Sequence, residues 1–537
     1  MTVVAAVLRD AARRFPERRA LVQGDTAFTY AGLDALTDQV AAGLAKRGVR
    51  SGDLAALVLP SGPEYVVAYL ALARLGAVTT GVGPRYTADE RARVLTQAKP
   101  ELVIATEELA EGVPSGPEVL RCEPAGRAYD VLADLRVDAI PPLPRVTGVD
   151  DPDLPETVVF TSGTTGTPKG ALFTSRQIAA ITEMDTGGRW GEGGPQLVAT
   201  GLPHVGFMAK LAGYLKLGAT MHVLGRWRAE DALRIVARER IPYIGGVAAQ
   251  VSLLLRRPEF DSYDFSCVKG LIVGAGPSPA PVVREARERF GAGYSIRYSM
   301  TESGGLGTLT SFDAPDEEAL HTVGRPRPGT ELEIRDPETG KVLERGEAGQ
   351  ICLRAPSVMA RYWRNPEDTA KALDAGGWLR TGDLGLIDDR GCLRITGRIS
   401  DMYIRGGYNV FPLEVESVLL AHPGVASVAV TPRPSDVMGE IGVAVVVPRA
   451  DAPTPTLEEL RAFAAPRLAA YKLPEALRIV DELPLTGMDK VDRKALADRE
   501  RSAGAGGPSG GSPERSAGES PGGPPGEPPG DPAALRT

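Results

Sequence analysis

Cysteine is scarce in this chain of 537 residues, and its placement excludes two kinds of site. The four cysteines lie far apart and form no Cys-x-x-Cys pair. Structural zinc sites and the disulfide frameworks of small secreted domains need closely spaced cysteines. We therefore expect isolated reduced thiols, as in a cytoplasmic protein, at Cys122, Cys267, Cys352 and Cys392.

Long hydrophobic runs are also missing. The longest, residues 65–78, is interrupted by Arg74, and the apolar stretch near the N-terminus ends at Leu8 before two charged residues. A membrane-spanning helix needs roughly 18 or more consecutive apolar residues, and a signal peptide needs a basic leader and a longer apolar core. We expect a soluble protein with no signal peptide and no integral membrane segment, and we interpret residues 65–78 as a buried helix.

An excess of positive charge is absent as well. The chain has 61 Lys and Arg residues against 69 Asp and Glu residues, which gives a net charge of −8. This balance argues against a nucleic-acid partner. Hydrophobic residues make up 43% of the chain, which is ample for a globular interior, and the length predicts two or more domains.

One segment, in contrast, is rich in glycine and in hydroxyl side chains. Residues 161–170 read Thr-Ser-Gly-Thr-Thr-Gly-Thr-Pro-Lys-Gly and lie between the apolar runs 158–160 and 171–173, which predicts strand, loop, strand. Glycines let backbone N–H groups turn inward, hydroxyls add donors, and Lys169 adds a positive charge, so the loop can bind a polyphosphate. The candidate phosphate-binding residues are Thr161, Ser162, Gly163, Thr164, Thr165, Gly166 and Lys169.

Two other interpretations of this segment were open. A Walker-type P-loop needs Gly-Lys-Ser/Thr at the start of a helix. Here Gly170 follows the lysine, and the next residues predict a strand. A flexible surface loop is the alternative that the segment alone leaves open.

Two later segments carry candidate nucleotide-binding residues. The apolar run 271–273 leads into Gly274, Ala275 and Gly276, whose small side chains would let a flat ligand lie against the backbone; a tight turn explains them equally well. Segment 298–302 combines an aromatic face for adenine, a hydroxyl for phosphate and a carboxylate for Mg²⁺. Its residues are Tyr298, Ser299, Met300, Thr301 and Glu302, with Glu302 as the candidate metal ligand.

Two single residues have both a structural and a functional interpretation. Asp383 closes the segment 378–383, and at a strand end its carboxylate could accept hydrogen bonds from both ribose hydroxyls; alone it would more often be a turn residue. His204 follows Pro203, and a lone histidine beside a proline turn is usually a partly buried structural residue.

In order and wording these segments resemble the adenylate-forming superfamily of AMP-binding enzymes, in particular its acyl-CoA synthetases, the fatty-acid- and 4-coumarate-CoA ligases. The resemblance implies an α/β fold with a large N-terminal domain, residues 1–399, of layered α/β subdomains plus a β-rich subdomain. It implies a smaller, mobile α+β C-terminal domain at residues 400–499. Residues 500–537 are rich in Gly and Pro, and we expect them to form a disordered tail.

The resemblance assigns the first half-reaction to four residues. Lys490 would bring a cation to the reacting phosphate, Glu302 would hold Mg²⁺, and Thr301 would contact phosphate. His204 would line the acyl pocket. Pro203 departs from the family pattern, which usually has an aromatic residue there.

The resemblance assigns the remaining steps to the end of the large domain and the start of the small one. Arg398 would contact ribose or phosphate, and Ser400 stands at the expected hinge, where the family commonly has Asp or Lys. Gly406 and Gly407 would admit the pantetheine arm of coenzyme A. Asp489, directly before Lys490, also departs from the family, which usually has Gly.

The implied function is that of an ATP-dependent acyl-CoA synthetase with ATP, Mg²⁺ and coenzyme A as cofactors. A carboxylic acid attacks MgATP to give an acyl-adenylate and pyrophosphate, and the thiol of coenzyme A then takes the acyl group. We expect a medium- or long-chain fatty acid as the substrate, with an aryl acid as the next choice. The alternatives are a ligase that loads a carrier protein and a nucleotide-binding protein without activity, which the presence of Lys490 and Glu302 disfavours. The oligomeric state is left open.

Overall fold

The computed structural model describes residues 2–123, 130–137, 143, 146, 151–161, 167–276, 278–485 and 491–505. The helices in these ranges are α1 (Val3–Arg14), α2 (Tyr30–Lys46), α3 (Pro63–Leu75), α4 (Ala88–Ala98), α5 (Ser175–Thr186), α6 (Val205–Met208), α7 (Leu211–Lys216), α8 (Ala229–Arg238), α9 (Ala248–Leu255), α10 (Ala280–Phe290), α11 (Asp316–Ala319), α12 (Pro366–Ala372), α13 (Pro412–Leu419), α14 (Leu457–Ala464) and α15 (Arg493–Ala505). None of these helices is long and apolar enough to cross a membrane.

Two largely parallel sheets, each with helices packed on it, form the first part of the chain. The larger sheet has the strand order β18-β8-β7-β4-β3-β5-β6, and the smaller has β2-β1-β10-β9. The strands of the larger sheet are β3 (Leu54–Val58), β4 (Val78–Gly81), β5 (Leu102–Ala105), β6 (Glu118–Arg121), β7 (Pro155–Thr161), β8 (Lys169–Thr174) and β18 (Arg361–Tyr362). Those of the smaller are β1 (Arg19–Gln23), β2 (Thr26–Thr29), β9 (Pro195–Val198) and β10 (Thr220–Val223).

A third mixed sheet and an antiparallel sheet complete the large N-terminal part. The third sheet has the order β11-β12-β13-β14-β15, and the antiparallel sheet has β16-β17-β19-β20. Their strands are β11 (Tyr243–Gly246), β12 (Gly270–Gly274), β13 (Gly293–Tyr298), β14 (Thr308–Leu309), β15 (Arg325–Pro326), β16 (Glu331–Arg335), β17 (Gly349–Arg354), β19 (Leu379–Ile387) and β20 (Leu393–Arg398). The predicted layered α/β fold with a β-rich subdomain is confirmed.

Helix α3 belongs to the largest apolar core and confirms that residues 65–75 of the predicted run form a buried helix, whereas Val78 begins β4. Pro63 begins it, Gly76 ends it with a left-handed φ of 73°, and every residue between is buried. The one charged side chain in its last turn, Arg74, donates to Asp34 at 2.5 Å and to Asp38 at 2.9 Å. A helix that is apolar on all sides is stable in water only when it is covered, and α1 and α2 pack against it.

The last part of the chain is a small mixed α+β unit, as predicted. Its sheet has the order β22-β21-β24-β23, with β25 paired to β24. The strands are β21 (Tyr403–Arg405), β22 (Tyr408–Val410), β23 (Val425–Ser435), β24 (Gly439–Pro448) and β25 (Ala476–Ile479). A 3₁₀ turn, Ile399–Asp401, connects β20 to this sheet. The predicted boundary at residues 399 and 400 falls in that turn.

The C-terminal helix α15 corrects one predicted boundary. It extends from Arg493 to Ala505, so the start predicted for the tail at residue 500 lies inside a helix. Glu500 is only 1% exposed, and its carboxylate pairs with Arg478 at 2.6 Å and with Arg433 at 3.7 Å. The glycine- and proline-rich composition gives no sign of this buried carboxylate, because its partners are distant in sequence. The tail beyond Ala505 lies outside the described residues, and its disorder stays a prediction.

Candidate active site

The predicted phosphate loop joins two antiparallel strands of the seven-stranded sheet. β7 ends at Thr161 and β8 begins at Lys169, and these two residues pair in the strand register. The Thr161 hydroxyl donates to the Lys169 carbonyl oxygen at 3.4 Å. The two predicted strands are confirmed. Because a strand and not a helix follows the lysine, a Walker-type P-loop is excluded. The predicted roles of Ser162, Gly163, Thr164, Thr165 and Gly166 fall outside the described residues.

The side chain of Lys169 contacts two residues near β18. Its Nζ lies 3.0 Å from Asp368 Oδ2 and 5.5 Å from the centre of the Tyr362 ring. Burial opposes ionisation of Asp368, but the hydrogen bond and the charge of Lys169 hold the pKa of its carboxyl below the usual range. Asp368 therefore balances the charge of Lys169, the lysine at the end of the predicted phosphate loop.

Glu302 lies in a 3₁₀ turn, Thr301–Ser303, directly after β13. The turn ends at Gly304, whose φ of 71° favours glycine. Glu302 is 7% exposed, and its Oε1 accepts a hydrogen bond from the Tyr362 hydroxyl at 2.8 Å. Burial and the adjacent carboxylate raise the pKa of Tyr362, so its phenol remains a protonated donor.

Tyr362 is thus the residue at which the phosphate loop and Glu302 meet. Its hydroxyl orients the carboxylate, its ring lies beside Lys169, and its backbone pairs with Ala171 of β8. Mg²⁺ is usually bound by one or two protein carboxylates together with substrate phosphates, so a single oriented carboxylate fits it. No cluster of three or more His, Cys, Asp or Glu side chains that could hold a metal occurs in the part of the chain described here. The residues present therefore fit a metal ion that arrives with its phosphates.

Asp383 is buried, and each of its two carboxylate oxygens accepts a hydrogen bond from a different side chain. Oδ2 accepts from the Tyr298 hydroxyl at 2.7 Å, and Oδ1 accepts from Arg398 Nε at 2.6 Å. Burial and the charge of Asp383 raise the pKa of Tyr298 well above its usual range. Burial lowers the pKa of Arg398, but the charges of Asp383 and Asp401 and the hydrogen bond to Asp383 together outweigh burial and leave the pKa raised. The structure therefore brings together three residues that the sequence proposed separately.

Two details of this group differ from expectation. Asp383 lies inside the nine-residue strand β19 and not at a strand end. The strand continues through Gly382 at a φ of 75°, and its register with β20 shifts after Leu384. Tyr298 is 8% exposed, and its ring packs against Ile351 and other apolar residues of the antiparallel sheet. Its hydroxyl, not its face, makes the contact to Asp383.

The small residues after β12 border open space. A Cβ added at Gly276 would meet nothing within 4 Å, whereas one at Gly274 would meet the Arg297 carbonyl oxygen at 2.9 Å. Ala275 has a φ of 63°, in the left-handed region. Gly274 is thus required by the close approach of β13, and Gly276 leaves room at the sheet edge. Ser299 and Met300 continue from β13, and the Met300 N–H donates to Ser303 Oγ at 3.1 Å.

His204 caps the short helix α6 and is half-buried. The next residue, Val205, approaches the turn that follows Glu302, since a Cβ added at Gly305 would meet Val205 Cγ1 at 3.7 Å. The segment carrying His204 and the segment carrying Glu302 are therefore adjacent. The role of His204 in the acyl pocket stays a prediction.

In the small C-terminal unit, Gly406 and Gly407 form the turn of the β21–β22 hairpin. Their φ values are 54° and 86°, and a Cβ added at Gly407 would meet nothing within 4 Å. A two-residue turn with both φ positive matches the twist of the strands and favours glycine. Lys490 lies outside the described residues, which resume one residue later with Val491 paired to Leu485.

Comparison with known proteins decides the family. The family model described as AMP-binding enzyme matches residues 8–363, and the model described as AMP-binding enzyme C-terminal domain matches residues 414–490. The chain belongs to the AMP-binding enzyme family. It is 34% identical to a feruloyl-CoA synthase from Amycolatopsis sp over 490 residues, which cover 89% of this chain and 95% of that protein. It is 31% identical to a long-chain-fatty-acid–CoA ligase of Mycobacterium tuberculosis, over 93% of this chain and 99% of that one.

A solved structure extends the match to the fold. The O-succinylbenzoate coenzyme A synthetase of Bacillus subtilis, in complex with ATP and magnesium ion, superimposes with a TM-score of 0.78 at 28% identity, covering 91% of this chain and 98% of that one. The predicted superfamily is confirmed. This AMP-binding enzyme is an AMP-forming acid–CoA ligase of the acyl-CoA synthetase type.

Sequence reasoning missed two residues of the site in this AMP-binding enzyme. Tyr362 contacts Glu302, and Asp368 contacts Lys169, but both lie in a segment without a glycine-rich motif. The one signal was the pair Tyr362-Trp363 in a polar stretch, and it does not specify a partner. Contacts between residues so distant in sequence are set by the pairing of β18 with β8.

Proposed function

We propose that the protein activates a carboxylic acid with ATP as an acyl-adenylate, releases pyrophosphate, and transfers the acyl group to the thiol of coenzyme A. One observation carries this proposal: Tyr362 brings the phosphate-loop Lys169 and the carboxylate of Glu302 to one place. A cation for phosphate oxygens beside an oriented carboxylate for Mg²⁺ is the pair that a nucleotide triphosphate requires.

The first step joins two anions, a carboxylate and the α-phosphate, so charge repulsion is the main barrier. Fixed cations and hydrogen-bond donors lower such a barrier when they lie where negative charge develops. Lys169 would leave Asp368 for the outer phosphates, and the 3.0 Å pair, with both side chains about a quarter exposed, is weak enough to exchange. Lys490 would add a second cation, because a lysine is a mobile point charge.

The nucleotide would be held by the group around Asp383. The Arg398 side chain is half exposed, so its bond to Asp383 can open to ribose hydroxyls, while the buried Tyr298 hydroxyl keeps the carboxylate in place. The open space at Gly276 would take the flat base. Mg²⁺ would be bound by Glu302 and neutralise phosphate charge.

The second step would use the small domain. In our proposal this domain rotates about the turn at Ser400, withdraws Lys490, and presents the hairpin turn at Gly406 and Gly407 to the pantetheine arm. The absence of side chains at that turn leaves its backbone open to an extended ligand. A carrier protein bearing the same pantetheine group is the alternative acceptor.

The acid was predicted to be a medium- or long-chain fatty acid, with an aryl acid next. Relatives named for long-chain fatty acids, for ferulate and for O-succinylbenzoate support an acyl-CoA synthetase and differ in the acid. Chain length is therefore a matter for measurement. The site described here requires only one carboxylate that can reach the α-phosphate.

Pyrophosphate release should be measured across fatty, aryl and dicarboxylic acids, with and without coenzyme A. We expect release that depends on both acid and Mg²⁺, and a thioester product only when coenzyme A is present. Glu302→Gln should abolish the response to Mg²⁺, whereas Glu318→Gln, at a buried carboxylate paired with Arg325 at 2.8 Å, should not. ATP turnover without dependence on any acid would contradict the proposal. Thioester formation only on a carrier protein would favour the alternative acceptor.

A further inference from the structure

Three cations surround one carboxylate beside the segment that carries His204. Asp185 Oδ2 lies 2.6 Å from Lys210 Nζ, and Asp185 Oδ1 lies 3.0 Å from Arg327 Nη1. Arg297 interacts with the same carboxylate and with Arg327 through its charge, and its Nε is buried without a hydrogen-bond partner among the described residues. We call Lys210, Arg297 and Arg327 the cationic cluster. With Asp185 included it carries two net positive charges.

A purely structural ion network in a protein interior normally balances its charges, because an uncompensated buried charge is costly. The chain contains such a balanced network elsewhere, where Arg9 and Arg74 pair with Asp34 and Asp38. Among the described residues, Asp185 is the one carboxylate that pairs with the cationic cluster. Burial, together with the charges of Arg297 and Arg327, lowers the pKa of Lys210 to about 8 against the opposing charge of Asp185. The cluster is therefore short of negative charge.

The cluster borders the region where the acid must bind. A Cβ added at Gly305 would meet Lys210 Cε at 3.0 Å, and Gly305 follows Glu302 by three residues, so their Cα atoms lie within about 11 Å of each other. The Lys210 side chain is 8% exposed, whereas the Asp185 and Arg327 side chains are 23% and 17% exposed, so solvent reaches one side of the cluster. We infer that an anion would approach from that side.

We propose that the cationic cluster binds a second carboxylate of the acyl substrate, and that the acid activated by this protein is therefore a short dicarboxylic acid. This inference rests on the proposed function and names its substrate class. The planar guanidinium of Arg297 can donate two parallel hydrogen bonds to a carboxylate, and Lys210 adds a third donor. One bound carboxylate reduces the net charge of the cluster to a single positive charge, while the other end of the acid faces ATP.

The test compares diacids with monoacids that have the same number of carbon atoms. Pyrophosphate release with glutarate, adipate and suberate is measured against pentanoate, hexanoate and octanoate. We expect kcat/KM for at least one diacid to exceed that of its matched monoacid by about ten-fold or more, the size expected for a desolvated charge pair. A monoacid preference at every length would overturn the inference.

Lys210→Met removes one charge of the cluster and keeps the length of the side chain. We expect it to lower kcat/KM for the preferred diacid by about ten-fold or more and to change the matched monoacid by less than about three-fold. The control is Lys216→Met, since Lys216 lies on α7 and pairs with Glu183 at 3.2 Å, outside the cluster. Equal losses for both acids would reduce Lys210 to a structural role. If Lys210→Met fails to fold, Arg327→Gln removes the more exposed cation instead. The same comparison of kcat/KM for the diacid and the matched monoacid then tests the cluster.

The pH profile gives a second readout. The charged and titratable groups that face Lys210 are Asp185 on α5, Arg297 on β13, Arg327 after β15 and Tyr214 on α7. Burial raises the pKa of Tyr214, so it stays neutral, and the arginines stay charged. Lys210 attracts an anion while it is protonated, so the diacid-to-monoacid ratio should fall as the pH rises through about 8. If the diacid-to-monoacid ratio of kcat/KM stays constant from about pH 7 to 9 within experimental error, Lys210 does not have this role.

Failure of the inference and failure of the proposed function give different results. If monoacids are activated and diacids gain nothing, the function stands and the diacid assignment falls. If no acid releases pyrophosphate, the proposed function falls, and calorimetry with adipate on the wild-type protein and on Arg327→Gln then decides whether the cluster binds a dicarboxylate. Binding that the substitution weakens supports the cluster, and equal or absent binding overturns it.

Discussion

Removing the hydroxyl oxygen of Tyr362 tests the residue that contacts both Lys169 and Glu302. Tyr362→Phe keeps the buried ring beside Lys169 and deletes only the hydroxyl that donates to Glu302 Oε1 at 2.8 Å. The Glu302 carboxylate would stay buried but lose the donor that orients it. Residues that orient a metal-binding carboxylate typically change metal affinity when they are removed. We therefore expect the dependence on Mg²⁺ to change first.

The size of the effect follows from the type of hydrogen bond. A hydrogen bond to a charged group contributes about 1.5–3 kcal/mol. Since 1.4 kcal/mol is a factor of ten in an equilibrium constant, this corresponds to about 10- to 150-fold. If the loss falls on the metal-bound state, the Mg²⁺ concentration that gives half-maximal pyrophosphate release should rise by about 10- to 100-fold. The dependence on the acid should change far less, because the substitution leaves the acyl side of the site intact.

The assay is pyrophosphate release as a function of free Mg²⁺ at fixed ATP. Tyr30→Phe is the matched control, because Tyr30 is fully buried and its hydroxyl donates to the Ala219 carbonyl oxygen at 2.8 Å. Both substitutions remove one buried hydroxyl, so both should lower the melting temperature, but only Tyr362→Phe should shift the Mg²⁺ dependence. If both variants lose stability and neither shifts that dependence, Tyr362 is structural and the assignment of Glu302 as the metal ligand is refuted.

Four further substitutions or truncations test other parts of the proposal. Lys490→Ala should abolish pyrophosphate release and largely preserve thioester formation from pre-made acyl-adenylate; equal losses in the two half-reactions would contradict a role specific to the first. Ser400→Pro should slow thioester formation more than adenylation, and a wild-type thioester rate would place the pivot elsewhere. Asp368→Asn should tighten ATP binding by about 1.5- to 5-fold, the size of a partly exposed ion pair, and weaker binding would show that Asp368 positions Lys169. Deleting residues 506–537 should leave activity and melting temperature nearly unchanged, and a fall of several degrees would show that the tail docks.

Elements with a local signal were predictable from the sequence. Helix α3 is apolar on all sides and lies between Pro63 and Gly76, so its type and ends follow from residues within it. The strands around the phosphate loop follow from two apolar runs separated by a glycine-rich stretch. The hairpin turn at Gly406 and Gly407 likewise depends on two adjacent residues that tolerate positive φ.

Features that depend on contacts between distant segments were not predictable. Tyr298, Asp383 and Arg398 were each proposed for the nucleotide, but nothing local shows that they bind one another across two sheets. The link from Tyr362 to Glu302 spans 60 residues, and it exists because β18 pairs with β8 next to the turn after β13. Glu500 is buried although its helix has a low apolar content, because its carboxylate pairs with Arg478 in strand β25.

The turn between the two domains is held from both sides by charged side chains. On the large-domain side Arg398 pairs with Asp383 at 2.6 Å. On the other side Asp401 Oδ2 lies 3.3 Å from Arg493 Nε, and Arg493 also pairs with Glu416 at 2.8 Å. If the domains reorient as we propose, the residues between these two ion pairs are the ones whose backbone angles would change. We therefore place the proposed pivot in the 3₁₀ turn Ile399–Asp401.

This arrangement gives Ser400 a specific part at the pivot. Its hydroxyl donates to Asp401 Oδ1 at 2.9 Å and so orients the carboxylate whose other oxygen faces Arg493. Lys490 precedes Arg493 by three residues in the sequence and lies outside the described residues. In our proposal a rotation at Ser400 would move the small domain, to which Lys490 belongs. At the proposed hinge Asp401 would supply the charge, and the Ser400 hydroxyl would only have to fix the direction of its carboxylate.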